Sequence, residues 1–143
     1  MKAAVVVANE DVQYLEIPEP EVKPGYVKIK VRYSGICGSD IPRVLHNGVH
    51  FYPIVLGHEF SGDVVEIGEG VTKVKAGDRV SGAPLVPCMK CEDCQKGNYS
   101  LCKHYSFIGS REQGSNADYV VVPEQNAVPF DASVPYELSL IHI

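Results

Sequence analysis

His58-Glu59, inside the run Gly57-His58-Glu59-Phe60-Ser61-Gly62, follows twenty-one residues after Cys37, which opens the run Cys37-Gly38-Ser39-Asp40. Thiol, imidazole and carboxylate are the donors of a catalytic zinc site, which keeps one coordination position where a substrate oxygen can be polarised. Spacing alone does not separate that chemistry from a histidine satisfied in a tight turn beside a buried free cysteine, which packs as a small apolar residue. The neighbouring motifs separate them.

Cys88-Met89-Lys90-Cys91-Glu92-Asp93-Cys94, then seven residues, then Cys102, is the most specific signal in the chain. Three thiols spaced two residues apart curl around one tetrahedral ion, and a fourth from a returning loop closes the shell. Four thiolates leave no open position, so this centre is expected to be structural zinc. An iron–sulfur cluster or disulfides also use four cysteines. Zinc is favoured because the ligands lie in a short polar loop of a chain whose cysteine usage suits a reducing compartment. The segment between Lys90 and Lys103 holds almost no aliphatic residue, so the ion is expected to order it.

A chain of 143 residues fits one domain, enough to bury roughly 70% of the surface its unfolded form exposes. With 45% hydrophobic and 22% charged residues it has the composition of a globular protein. A net charge of -5 without a dense Lys/Arg cluster argues against nucleic acid or an anionic membrane as partner. The start, Met1 to Val7, has one basic residue and a short apolar run, so it reads as a strand rather than a signal peptide. No stretch approaches the ~18 apolar residues of a membrane span. Five cysteines, an odd number, suit a disulfide framework poorly, and the expected location is the cytoplasm.

The elements that must position these groups are short. Val27, Ile29, Val31 and Tyr33 alternate with Lys28, Lys30 and Arg32, so the apolar set is expected on one sheet face. Met1–Val7 and Val12–Ile17 form a hairpin around Asn9-Glu10, and Pro18, Pro20, Pro24 and Gly25 break the chain before the next strand. Ser39–Leu45 makes one or two helical turns with Ser39 as cap, too short to matter for packing. Strands are expected at Asp63–Ile67, near Val80 and at Asn116–Val122. Many short strands, frequent Gly and Pro and no long amphipathic helix predict a mainly β fold, a barrel or sandwich.

Taken together, Cys37-Gly38-Ser39-Asp40, then Gly57-His58-Glu59 with Gly62, Gly68 and Val71, then the four-cysteine loop, resemble the zinc-dependent medium-chain alcohol and polyol dehydrogenases. The resemblance covers residues 1–137. It implies a GroES-like β-barrel catalytic domain with short helical turns and a zinc-binding loop, followed by an atypical tail at 138–143. Asn47–Pro53 and Phe107–Arg111 look most like the members that oxidise galactitol 1-phosphate, with sorbitol and L-iditol dehydrogenases as neighbours. The implied catalytic zinc ligands are Cys37 and His58, with Glu59 either a third ligand or a carboxylate behind one. Ser39 is implied to hydrogen-bond the substrate hydroxyl and pass its proton outward, and Asp40 to hold the His58 ring through its other nitrogen. The implied reaction is hydride transfer from a secondary alcohol of a polyol or polyol phosphate to NAD or NADP. The implied partner is thus a small molecule, and the full-length enzyme is expected to form homo-oligomers.

Hydride transfer needs a coenzyme, and no Gly-x-Gly-x-x-Gly loop follows a strand in these residues; Gly68-Glu69-Gly70 lacks the third glycine. The family's Rossmann domain is therefore expected to be absent from this chain, and the chain alone to be inactive. A family glutamate that can complete the zinc site falls near Ile143, and His142 is not expected to replace it. Two alternatives remain: a stand-alone zinc-stabilised barrel serving as an interaction module, and a quinone reductase lacking zinc, against which Cys37, His58 and the cysteine loop argue. A substrate phosphate would want cations near the zinc; Arg43 and Arg111 are candidates only because they lie near these motifs, and as ordinary surface arginines they need no such role.

Overall fold

The computed structural model describes residues 1–140. Ile141, His142 and Ile143, to which the expectations about a ligating glutamate and His142 refer, lie outside the described residues.

The N-terminal hairpin forms as expected. Strands β1 (Lys2–Ala8) and β2 (Asp11–Glu16) pair antiparallel across a turn in which Glu10 takes a φ of 62°. After the proline-rich break comes the long strand β3 (Tyr26–Gly35), then β4 (Ile54–Val55), β5 (Glu59–Ile67), β6 (Arg79–Gly82) and β7 (Leu85–Val86). The chain closes with β8 (Ser106–Phe107), β9 (Tyr119–Pro123) and β10 (Ala127–Pro129). Five strands in the order β10-β6-β5-β3-β9 make one sheet, β2-β1-β4 a second, and β7-β8 a small ladder. The two larger sheets join through residues 116–118: Ala4 N–H donates to the Asn116 carbonyl at 2.8 Å, Asp118 N–H to Lys2 at 2.9 Å, and Val31 N–H to Asp118 at 2.9 Å. The result is the curled, mainly β half-barrel that the motifs imply.

Val27, Ile29, Phe60, Val64, Val80, Ile108, Val120 and Val122 fill its interior. Each such side chain contributes roughly 1.5–3 kcal/mol by leaving water. Two bulges alter the expected pattern. Val31 faces Gly62 and Tyr33 faces Ser61, so Arg32 is an extra residue on β3, the alternation changes phase, and Tyr33 is exposed rather than on the core face. On β5 the extra residue is Val65, which is likewise exposed. Strand β9 starts three residues later than Asn116, because 116–118 are committed to β1.

The turn after Cys37 also differs from expectation. A single α-turn, α1 (Asp40–Pro42), runs into a π-turn at Arg43–Asn47, and Ser39 occupies the N-cap position without making a capping hydrogen bond. Short as it is, this segment packs: Val44 lies against the buried cluster of Val6, Ile54 and Leu56, and its carbonyl accepts from Glu10 N–H at 2.8 Å.

Residues 130–140 strap back over the sheet. The buried hydroxyls of the cross-strand neighbours Ser61 and Ser81 donate to the carbonyls of Tyr136 (2.8 Å) and Ser139 (2.6 Å). Arg79 lies over the rings of Tyr136 and Phe130, at 3.9 and 5.0 Å. Ser139 is as buried as the core.

Strands β3 and β5 carry the two halves of the first motif, and their close pairing depends on Gly62, where a Cβ would sit 2.2 Å from the Lys30 carbonyl oxygen. Gly62→Ala is expected to destabilise the fold by about 1–3 kcal/mol, read as a lowered urea midpoint at unchanged slope.

Candidate metal centres

Antiparallel pairing of β3 with β5 sets Gly35 opposite Glu59, so Cys37 and His58 emerge side by side just beyond the paired ends. A sulfur of Cys37, a ring nitrogen of His58 and a carboxylate oxygen of Glu59 all lie within 4.8 Å of one another. Gly35 leaves the room that the Glu59 carboxylate occupies, since a Cβ there would be 2.9 Å from Glu59 Oε2. His58 is buried and packs edge-on against Phe107, with ring centroids 5.5 Å apart.

Asp40, on α1, is buried with neither carboxylate oxygen hydrogen-bonded. Its Oδ1 stands 3.6 Å from His58 Nδ1, itself without a partner, and 3.6 Å from Arg43 Nη1. Burial pushes the Asp40 carboxyl above its usual range, while His58 and Arg43 pull against that shift. The Ser39 hydroxyl is solvent-facing and donates to Cys37 Sγ at 3.3 Å. The structure therefore brings together all five residues singled out in the two motifs.

The second cluster sits in a lobe between β7 and β8. Sulfurs of Cys88, Cys91, Cys94 and Cys102 lie within 4.8 Å of one another and none forms a disulfide. The knuckle turns at Met89, whose φ is 59° and whose carbonyl accepts from Gln95 Nε2 at 2.8 Å. The short helix α2 (Glu92–Gln95) then presents Cys94 inward. Backbone N–H groups point at sulfur: Cys91 N–H at Cys88 (3.4 Å) and Cys88 N–H at Cys102 (3.3 Å). Hydrogen bonds from the Lys90 and Cys91 backbone pull the Cys88 thiol down to about 6, whereas burial pushes Cys94 up to about 12. Leu101, Tyr99 and Met89 are exposed, so the lobe has little apolar core of its own.

Sequence reasoning missed the residues that hold Gly57. Gly57 has a φ of 96°, and a Cβ on it would meet Asn116 Oδ1 at 2.5 Å and Ser115 Oγ at 2.7 Å. Ser34 Oγ lies 2.8 Å from Ser115 Oγ and donates to Asn116 Oδ1 at 2.7 Å. Gly114, Ser115 and Asn116 N–H donate to the carbonyls of Val55, Gly57 and Leu56. Only the clustered small and polar residues of 114–116 hinted at this in the sequence.

A cavity of about 740 Å³, lined by Ile17, Glu21, Lys23, Tyr26, Glu112 and Tyr119 among others, contains no residue of either metal-type cluster. A second, of about 320 Å³, includes Leu56, Ser110 and Arg43, whose Nη1 is 3.6 Å from the Asp40 carboxylate.

Residues 23–132 match the family described as the alcohol dehydrogenase GroES-like domain, and the chain belongs to that family. Within it, the chain is 45% identical over 138 residues to galactitol 1-phosphate 5-dehydrogenase of Escherichia coli K12, covering 96% of this chain and 40% of that protein. The crystal structure of the Escherichia coli galactitol-1-phosphate dehydrogenase superimposes with a TM-score of 0.94 at 44% identity, over 98% of this chain and 41% of that one. Sorbitol dehydrogenase of Halalkalibacterium halodurans is 41% identical over 137 residues, 94% of this chain and 40% of that protein. A structure described as a short chain alcohol dehydrogenase from Escherichia coli CFT073, complexed with cofactor NADH, gives a TM-score of 0.91 at 33% identity, covering 99% and 41%. The chain thus spans about 40% of the length of the relatives it matches. Among the described residues no helix is long and apolar enough to cross a membrane.

The four-thiol geometry predicts that Cys91→Ser lowers bound zinc by one ion per chain in elemental analysis. An unchanged metal content would contradict it.

Proposed function

We propose that this chain is the metal-binding catalytic part of a zinc-dependent dehydrogenase that oxidises a secondary alcohol of a polyol or polyol phosphate, of the galactitol 1-phosphate type, with NAD or NADP as hydride acceptor. The observation that carries the reading is the convergence of Cys37, His58 and Glu59 at a centre separate from the four-thiol cluster. The names of the galactitol 1-phosphate and sorbitol dehydrogenase relatives support the substrate class, and the NADH-bound relative supports the coenzyme.

The donors fit the ion. One thiolate, one imidazole and a carboxylate suit zinc. With His58 Nδ1 turned toward Asp40, Nε2 is the nitrogen left for a metal, and the two unpartnered groups need little movement to form the hydrogen bond that fixes the ring. When bound, zinc supplies Lewis-acid polarisation of the alcohol oxygen.

The chain's own residues do the rest. Ser39, exposed beside the Cys37 sulfur, accepts the hydroxyl proton of the substrate and hands it to solvent. Asp40 is a positioning residue, acting through His58. Glu59 either binds the ion directly or stands behind a ligand. The four-thiol lobe holds structural zinc, and its backbone N–H groups favour thiolate at Cys88.

In the complete dehydrogenase that this reading describes, Ser39→Ala is expected to lower kcat for polyol oxidation by about 10²-fold or more. The KM for coenzyme and the zinc content should stay as in the parent. Wild-type turnover by Ser39→Ala would remove Ser39 from the proton path.

A further inference from the structure

Beside the Cys37–His58 site lies the cavity of about 320 Å³ lined by Arg43, Asn47, His50, Leu56 and Ser110, with Gly48 and Val49 completing the wall. That volume is near the lower end of the roughly 300–1,000 Å³ typical of small-molecule sites. Resting on the polyol-phosphate reading above, we infer that this cavity is the subsite for the phosphomonoester group of the substrate.

Arg43 carries a cationic donor with an unfilled hydrogen bond. Arg43 Nη1 is buried and has no hydrogen-bond partner, and its nearest anion, Asp40 Oδ1, is 3.6 Å away, beyond hydrogen-bond reach. Arg43 meets Asp40 as an ion pair that leaves Nη1 without a hydrogen-bond acceptor, and an anionic oxygen is the acceptor that would supply one best. Arginine's planar fork also presents donors in two directions, so a group turned partly toward Asp40 can still offer another edge to a ligand.

The wall chemistry suits an anion. Arg43, Asn47, His50 and Ser110 all carry donors, and no Asp or Glu is among the lining residues described. That stands out in a chain of net charge -5, and the 740 Å³ cavity includes both Glu21 and Glu112. Local backbone gathers these donors: the π-turn Arg43–Asn47 sets residues four apart on one side, and Gly48, with a φ of 74°, turns the chain so that Val49 and His50 complete the wall.

Leu56, in the wall, is two residues from His58, and the Arg43–Asp40–His58 contacts tie the cavity to the metal-site histidine. A polyol whose hydroxyl reached the Cys37–His58 site could place a terminal phosphate here. Arg111, the other cation near these motifs, instead lies over the Tyr105 ring at 4.8 Å and is not in the cavity wall.

The test is a titration of the isotopically labelled, cobalt-loaded chain followed by NMR, with four probes: galactitol 1-phosphate, inorganic phosphate, galactitol and NAD+. Galactitol 1-phosphate and inorganic phosphate should each shift the Arg43 side chain and the Val49, His50 and Ser110 amides saturably. Galactitol should not. Arg43→Gln should weaken galactitol 1-phosphate binding by about tenfold or more. The exposed Asn47→Asp, which places a negative charge in the same cavity, should weaken it as well, and Arg111→Gln should leave it unchanged. Parent-like binding by both Arg43→Gln and Asn47→Asp overturns the subsite, as do shifts produced by NAD+ and not by the polyol phosphate. The visible absorption of cobalt bound by Cys37 and His58, recorded on the same samples, separates the two claims. Its absence with phosphate binding intact sinks the dehydrogenase reading, and its presence without phosphate binding sinks only the subsite.

Discussion

Three stretches of backbone meet at Gly57 at a separation that excludes side chains. A Cβ on Gly109 would lie 2.2 Å from the Gly57 carbonyl oxygen, and one on Gly114 would lie 2.3 Å from it. Gly57 itself needs a positive φ that other residues adopt only with strain. From this crossing His58 leads into β5, which starts at Glu59, while the hydrogen bonds from Gly114, Ser115 and Asn116 fix the residues before them. The relation between His58 and Cys37 therefore depends on backbone packing that no single metal ligand supplies. The Ser34–Ser115–Asn116 hydrogen bonds tie the end of β3 to the same crossing, which couples the two strands that flank Cys37 and His58.

The two clusters also share a support. Strand β7 leads into Cys88, and β8, shortly after Cys102, ends on Phe107, whose ring meets the edge of His58. Ile108, one residue on, is fully in the core and donates its N–H to Pro84, in the segment leading to β7. A lobe with few apolar contacts of its own is thus anchored at its base to the packing around His58. Within the lobe, order rests on four sulfurs and the N–H groups directed at them, which is the condition under which metal binding and local folding are one event.

Much of this was legible in the sequence because it is written in local pattern. The Asn9-Glu10 turn, the alternation from Val27 to Val31, the spacing of Cys88, Cys91, Cys94 and Cys102, and the two short motifs each depend on near neighbours along the chain. What was not legible depends on partners distant in sequence. The bulge at Arg32 reverses the expected face of Tyr33, and another at Val65 leaves that residue exposed, because strand pairing rather than propensity decides where an extra residue is absorbed. The burial of Ser61 and Ser81 depends on the strap at 136–139, which supplies the carbonyls they donate to. Val44 became a packing residue only once Val6, Ile54 and Leu56 were in place. Ser39 reads as a helix cap from sequence, yet its hydroxyl is turned to the Cys37 sulfur.

The account's central claim is that one small barrel gathers two chemically different ions, one enclosed by sulfur and one left open to a hydroxylated molecule. Cadmium-113 NMR of the chain loaded with two equivalents of the isotope addresses it directly. The structure predicts two resonances, one in the all-thiolate region and one upfield of it from a mixed sulfur, nitrogen and oxygen environment, the latter lost in Cys37→Ala. A single all-thiolate resonance, unchanged by Cys37→Ala, would contradict the account.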